Sequence, residues 1–195
     1  MLVRVRASSL SFRDLLIVNG AFPAPIPADR VPLSDGAGEV VALGAGVTRF
    51  KTGDRVINTL FPNFFGGSFN ATPEQWVVDY DGWLTEYKVV SAEALVAIPG
   101  YLSFEDAATL PRVAVTAWSA LLGVRAGETV LTQGSGGVSL FALQLAKALG
   151  ARFIATTTNP DNAARLQVLG AALSSGTPSI PGISAAGARR WSGPA

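Results

Sequence analysis

The run from Glu128 to Leu169 constrains this chain more than any other stretch. Thr129-Val-Leu-Thr-Gln133 reads as a buried strand, and Gly134-Ser-Gly-Gly137 as a tight turn. Val138, Phe141, Ala142, Leu145, Ala148 and Leu149 then recur at the spacing of one helix face, and Gly150 stands where a left-handed residue closes a helix. Arg152-Phe-Ile-Ala-Thr156 is a second strand. Asn159 fits an N-cap, Pro160 the first helical position, and a second helix runs to Leu169 before Gly170. Strand, glycine turn, helix, strand, helix predicts a parallel βαβ unit.

The chain before residue 100 has another texture. Residues 2–7 alternate, with Leu2, Arg4 and Arg6 on one face and Val3, Val5 and Ala7 on the other, as in a strand. Residues 34–60 are rich in Gly and Val, the pattern of short curved antiparallel strands in a small barrel. Residues 61–82 read as a long loop, and strand-like runs return at Leu84–Val90 and Ala94–Ile98. Ser103-Phe-Glu-Asp106 forms a capping box for a short helix that Pro111 interrupts. Val113–Leu122 is a further helix, closed by Gly123. After Ala171 the periodicity stops: between Gly176 and Ala195, 14 of 20 residues are Gly, Ala, Ser or Pro, the composition of a disordered tail.

Two residue types are missing, and their absence removes whole chemistries. With no Cys and no His, the 195 residues offer no disulfide, no thiol nucleophile, no imidazole base and no Cys- or His-ligated metal. Chemistry by a cofactor, a carboxylate, a hydroxyl or an amine remains. Fifteen basic against 14 acidic residues, without a basic cluster, give no reason to expect nucleic acid or an anionic membrane. The apolar stretch Val113–Val124 is too short for a bilayer, and the start lacks a signal-peptide core; a cytoplasmic protein is the expectation.

The glycine turn is the strongest site. Gly134 permits the tight turn, and Gly136 lets the backbone approach a pyrophosphate. The helix start at Gly137 and Val138 turns free N–H groups toward phosphates. Ser139 takes the place of the third glycine. A ligand-free strand–helix turn and a methyltransferase-type nucleotide site are the competing readings. About 20 residues on, where a carboxylate usually meets the ribose of NAD, this chain has Thr156, Thr157, Thr158 and Asn159. No carboxylate there repels a 2′-phosphate, which favours NADP(H) over NAD(H). The alternative is that the threonines are strand-end residues and Asn159 a simple cap.

Several motifs in order resemble the medium-chain dehydrogenase/reductase superfamily. Pro32-Leu-Ser-Asp-Gly-Ala-Gly-Glu-Val-Val41 and Gly44-Ala-Gly-Val-Thr-Arg-Phe-Lys-Thr-Gly-Asp-Arg-Val56 resemble its N-terminal GroES-like domain. Ala107-Ala-Thr-Leu-Pro111 and Thr116-Ala-Trp118 resemble its interdomain segment, and Glu128–Gly137 its nucleotide loop. Zinc members carry Gly-His-Glu at the place of Ser34-Asp-Gly36, so the resemblance points to the zinc-free, quinone-oxidoreductase branch. It implies hydride transfer from NADPH to an activated alkene, quinone or carbonyl, with a small-molecule quinone, enone or aldehyde as substrate and a homo-oligomeric enzyme. Ser11, where family members often have Asn, and Asp14 are the catalytic candidates. Arg13 and Asp14 also read as a surface or interdomain ion pair. Leucine stands at position 16, near where some relatives have a tyrosine. Thr116 lines the nicotinamide pocket or packs inside a helix. Water can serve as the proton source.

The expected organisation is α/β plus β. A GroES-like β-rich domain (1–100) and an interdomain helical segment (101–123) precede an incomplete Rossmann domain (124–171) of two strands. A disordered or frame-shifted tail (172–195) follows. By this resemblance the chain is truncated at both ends and self-associates. Its alternatives are a non-catalytic nucleotide-binding module and an inert fragment.

Overall fold

The computed structural model describes residues 1–67 and 73–174. The chain divides into two compact units, Met1–Arg112 and a second from Val113. In the first, β1 (Leu2–Ser9), β2 (Asp35–Ala42), β3 (Arg55–Asn58), β4 (Tyr87–Val89) and β5 (Leu95–Ala97) form one antiparallel sheet in the order β4-β1-β2-β3-β5. The period-two pattern of residues 2–7 is realised: Val3 is buried, whereas Arg4 and Arg6 are exposed. β1 and β2 pair from Leu2↔Ala42 to Ser9↔Asp35, with irregularities that bend the pair. α1 (Phe12–Val18) follows β1, and α2 (Phe104–Ala108) follows β5.

Glycine sets how closely the layers meet. A Cβ at Gly36 would lie 2.6 Å from the Trp83 ring, and one at Gly38 2.4 Å from the Arg4 carbonyl oxygen. The fully buried Trp83 therefore lies directly on β2, edge-on to Trp76 with ring centroids 5.6 Å apart. Val3, Val40, Val56 and Leu95 complete this core.

In the second unit β6 (Thr129–Gln133), β7 (Arg152–Thr156) and β8 (Ala172–Ser174) are parallel, in the order β6-β7-β8. α3 (Val115–Ala120), α4 (Gly137–Ala148) and α5 (Pro160–Val168) supply the helices, and Ala117, Leu143, Ala146, Phe153 and Leu166 the buried core. A π-helical turn, Leu110–Ala114, contains Pro111, so the helical pattern breaks where proline removes a donor. Gly150 and Gly170 follow α4 and α5 with φ of 74° and 101°.

Two expectations need correction. The parallel sheet does not end after two strands: Ala172–Ser174, placed in the tail, pairs with Ile154–Thr156 as a third strand. Three residues are too few to show a period, and their register comes from tertiary pairing, with Leu166 and Ala171 buried beneath. The rest of the expected tail, 175–195, lies outside the described residues. Nor is β6 a buried strand. Thr129, Leu131 and Gln133 are exposed, so one face of the strand is uncovered, and β6 is also a sheet edge paired only with β7 among the described residues.

Candidate functional site

The sequence-predicted residues fall into two groups, one in each unit. In the second unit, the C-terminal ends of β6 and β7 meet the start of α4. Gly134 has a φ of 89°, and its N–H donates to Thr156 O at 2.9 Å, which fixes the turn against the end of β7. Gly136 is the N-cap of α4, in an extended conformation with φ −76° that any residue adopts, and it caps the helix with no side chain. Among the described residues, the first N–H groups of this 12-residue helix thus have no side-chain acceptor from the cap at its positive end. A Cβ at Gly136 would meet nothing within 4 Å, so the space over the turn is open. Gly134, Gly136, Gly137 and Val138 are all exposed. At the third-glycine position, the Ser139 hydroxyl reaches back to Gln133 O at 3.5 Å.

The Thr156–Asn159 stretch lies at the end of β7. Thr156 carries the carbonyl that receives Gly134. Thr157 Oγ1 accepts from Asn159 N at 3.3 Å, Thr158 is exposed, and Asn159 Oδ1 caps α5 by accepting from Asp161 N at 2.9 Å. Asn159 therefore has a structural task independent of any ligand. One contact was not legible in the sequence: Asn162 Nδ2 donates to Ser135 Oγ at 2.9 Å, tying the first turn of α5 to the glycine turn. Thr116 is half-buried in α3.

In the first unit, the structure brings Ser11 and Asp14 together at the start of α1. Asp14 Oδ2 accepts from the Ser11 N–H at 2.8 Å and from its hydroxyl at 2.9 Å. Arg13 and Asp14 do not form the surface ion pair that the sequence suggested. Both are buried, at 8% and 4% exposure, and no salt bridge joins them among the described residues. Arg13 turns inward because it finds neutral acceptors: Ser34 Oγ at 2.5 Å, Gln75 Oε1 at 3.1 Å and Trp76 O at 3.2 Å. Its guanidinium also lies over the Phe22 ring, 4.6 Å from the centroid.

Two residues that the sequence did not single out complete this cluster. Asp35 opens β2 at 3% exposure, and Arg112 lies in the π-helical turn. Burial pushes the Asp35 carboxyl up to about 7; Arg112 and Arg13 pull it down, and the charge of Asp14 adds to the rise. Burial likewise lowers Arg13 to about 10 and moves Arg112 down. Asp14 Oδ1 and Asp35 Oδ1 are both buried without a hydrogen-bond partner among the described residues. Each such atom costs about 1–3 kcal/mol in a folded protein. Asn58 secures the neighbouring backbone, accepting from Gly36 N at 2.7 Å and donating to Ser34 O at 2.9 Å. Among the described residues two non-glycines have positive φ, Leu33 at 66° and Val77 at 74°. Leu33 precedes Ser34 and Val77 follows Trp76, so both strained positions adjoin acceptors of Arg13. A carboxylate opening the run of small residues Asp35-Gly-Ala-Gly38 was the available sequence signal.

Residues 1–100 match the family model of the alcohol dehydrogenase GroES-like domain. A zinc-type alcohol dehydrogenase-like protein of Schizosaccharomyces pombe is 42% identical over 178 residues, covering 88% of this chain and 51% of that protein. A quinone oxidoreductase of Pseudomonas aeruginosa is 39% identical over 166 residues, with 83% and 45% covered. The crystal structure of an NAD-dependent alcohol dehydrogenase superposes with a TM-score of 0.79 at 33% identity, over 89% of this chain and 55% of that one. The chain spans about half the length of these relatives.

Proposed function

We propose, on the ground that the chain belongs to the alcohol dehydrogenase GroES-like domain family, that it serves a nicotinamide-dinucleotide-dependent oxidoreductase acting on an activated alkene, quinone or carbonyl compound. The relatives named as alcohol dehydrogenases and a quinone oxidoreductase support the reaction class. The observation that carries the reading is the start of α4. An uncapped helix N-terminus stands behind an open glycine turn at the end of a parallel strand, where a pyrophosphate gains from both the free N–H groups and the helix dipole.

Gly134, Gly136, Gly137 and Val138 would hold the pyrophosphate, and Thr156, Thr157, Thr158 and Asn159 would border the adenosine ribose. A bound nicotinamide dinucleotide supplies the hydride. The absence of a carboxylate in the ribose stretch supports NADPH over NADH. A catalytic zinc does not fit the first unit's cluster. Asp14 and Asp35 have two guanidinium groups acting on them, and the chain has no Cys or His to replace those carboxylates as ligands. We therefore read the site as zinc-free. No helix among the described residues is long and apolar enough to cross a membrane, and a cytoplasmic location is part of the proposal.

Titration of the chain with NADPH and NADH, followed by nucleotide fluorescence with inorganic pyrophosphate as competitor, tests the reading. Saturable NADPH binding that pyrophosphate displaces is expected, with NADH weaker. No binding of either dinucleotide at about 1 mM, a free energy near −4 kcal/mol, would defeat it.

A further inference from the structure

The glycine turn needs a restraint that glycine itself cannot supply. We propose that Asn162 is a positioning residue of the nucleotide site. It holds the Ser135 hydroxyl so that the hydroxyl proton is left for a phosphate oxygen of the dinucleotide. The inference rests on the cofactor reading above, and every residue in it belongs to the second unit.

Three observations carry it. First, packing holds the turn weakly. Would-be Cβ atoms at Gly134 and Gly136 meet nothing within 4 Å, and one at Gly137 would meet Val113 at 3.5 Å. Ser135 is the one residue with a side chain between Gly134 and Gly137. The glycines around it have the most backbone freedom to lose when a ligand fixes them, and a turn fixed beforehand binds more tightly. The Gly134 N–H ties the start of the turn to Thr156 O. Asn162 Nδ2, donating to Ser135 Oγ at 2.9 Å across 27 positions, ties its middle.

Second, the anchor is rigid. Asn162 lies in the first turn of α5, where its N–H donates to Asn159 Oδ1 at 3.4 Å and Pro160 sets the start of the helix. Leu166, four residues on and so on the same helix face, is buried at 1% exposure. Asn159 already caps α5, so the Asn162 side chain is free for a task outside its own helix.

Third, the donors and acceptors leave one proton over. A serine hydroxyl has one proton to donate and two sites that accept. Asn162 fills one accepting site of Ser135, and the proton has no acceptor among the described residues. The bond from Asn162 also polarises the hydroxyl, which makes it a stronger donor. Ser135 adjoins Gly136, the N-cap of α4, so a phosphate seated on the free N–H groups of that helix has this hydroxyl as its neighbour.

The test uses the 195-residue chain, titrated with inorganic pyrophosphate and with NADPH and followed by ¹⁵N NMR. Ser135→Ala should weaken both probes about tenfold, the loss of one hydrogen bond to a charged group. Ser135→Thr keeps the hydroxyl and should keep the affinity. Ser135 has no positive φ, so its backbone accepts either residue. Asn162→Ala leaves the hydroxyl present but unheld and should cost less, about threefold. In the Ser135→Ala background it should cost nothing further, because Asn162 acts only through the hydroxyl. Unchanged affinity in Ser135→Ala would overturn the proposal, as would additive losses in the double variant. Equal losses in Ser135→Ala and Asn162→Ala, the mark of a purely structural tie, would overturn it too. Unchanged NADPH binding in Ser135→Ala would leave the cofactor reading standing. Pyrophosphate binding with the expected dependence on Ser135, but without NADPH binding, would count against the cofactor reading and leave the phosphate contact in place. Binding of neither probe at about 1 mM would defeat both.

Discussion

Burial lifts the Asp35 carboxyl from the usual carboxylate range to about 7, against the pull of Arg112 and Arg13. Between the unfolded value near 4 and that folded value, the native state binds more protons than the unfolded chain, so stability falls as pH rises. The contribution is lost by about pH 7. The chain has no histidine, so the window from pH 5 to 7 is free of the side chain that ordinarily titrates there. Urea unfolding should show a loss on the order of 2 kcal/mol from pH 5 to pH 7. Asp35→Asn, a neutral mimic of the acid, should abolish that slope and be the more stable protein at pH 7. A slope of the same size in the variant would show that another group is responsible. The glycine turn offers a second single-residue test. Gly136 has an ordinary φ and open space around its would-be Cβ, so Gly136→Val should fold, losing about 1 kcal/mol as a poorer N-cap, yet lose NADPH affinity at least tenfold, because the branched side chain occupies the phosphate space. Gly134→Val is a poorer probe, since its φ of 89° would strain any side chain and confuse folding with binding.

Helix ends show what was legible in the sequence and what was not. The spacing of Asn159, Pro160 and Gly170 located α5 because capping chemistry is local: the donor and acceptor lie two residues apart. Ser103 likewise accepts from Asp106 N at 3.0 Å. Its hydroxyl also bonds the Asp106 carboxylate, where the capping box expected that carboxylate to reach the Ser103 backbone N–H. The βαβ order was legible for the same reason. The cluster of residues 13, 14, 35 and 112 was not: its members lie on separate elements, and no local period records which of them the fold buries together. Asn159 separates the two kinds of role. Asn159→Ala should destabilise the chain by about 1 kcal/mol through the lost cap. Asn159→Asp keeps a good cap and adds a carboxylate beside the expected ribose. It should leave the melting temperature within about a degree and move nucleotide preference from NADPH toward NADH. An unchanged NADPH-to-NADH affinity ratio in the Asp variant would show that the stretch does not meet the 2′ position.

At the scale of the whole molecule the exposed edge of β6 matters most. Its backbone pairs with β7 on one side only among the described residues, and Thr129, Leu131 and Gln133 are exposed, Leu131 at 41%. A parallel strand of this kind is usually paired on both edges and covered on both faces, and an open one invites pairing with another chain. The region shared with these relatives makes up 51% and 45% of their own length. For the 195-residue chain alone we expect self-association through β6, weak NADPH binding and no measurable hydride transfer to a simple quinone. Leu131→Lys places a charge on the exposed edge strand without touching the buried Phe153 and Ala155 of β7. Sedimentation velocity should therefore show the unaltered chain as dimers or larger species and the Lys variant shifted toward monomer, with NADPH affinity the same in both once corrected for the monomer fraction. The unaltered chain sedimenting as a monomer while oxidising NADPH with a quinone at about 1 per second or faster would mean that the three described strands, with an open edge, suffice for the reaction, and would remove the reason for expecting a partner along β6.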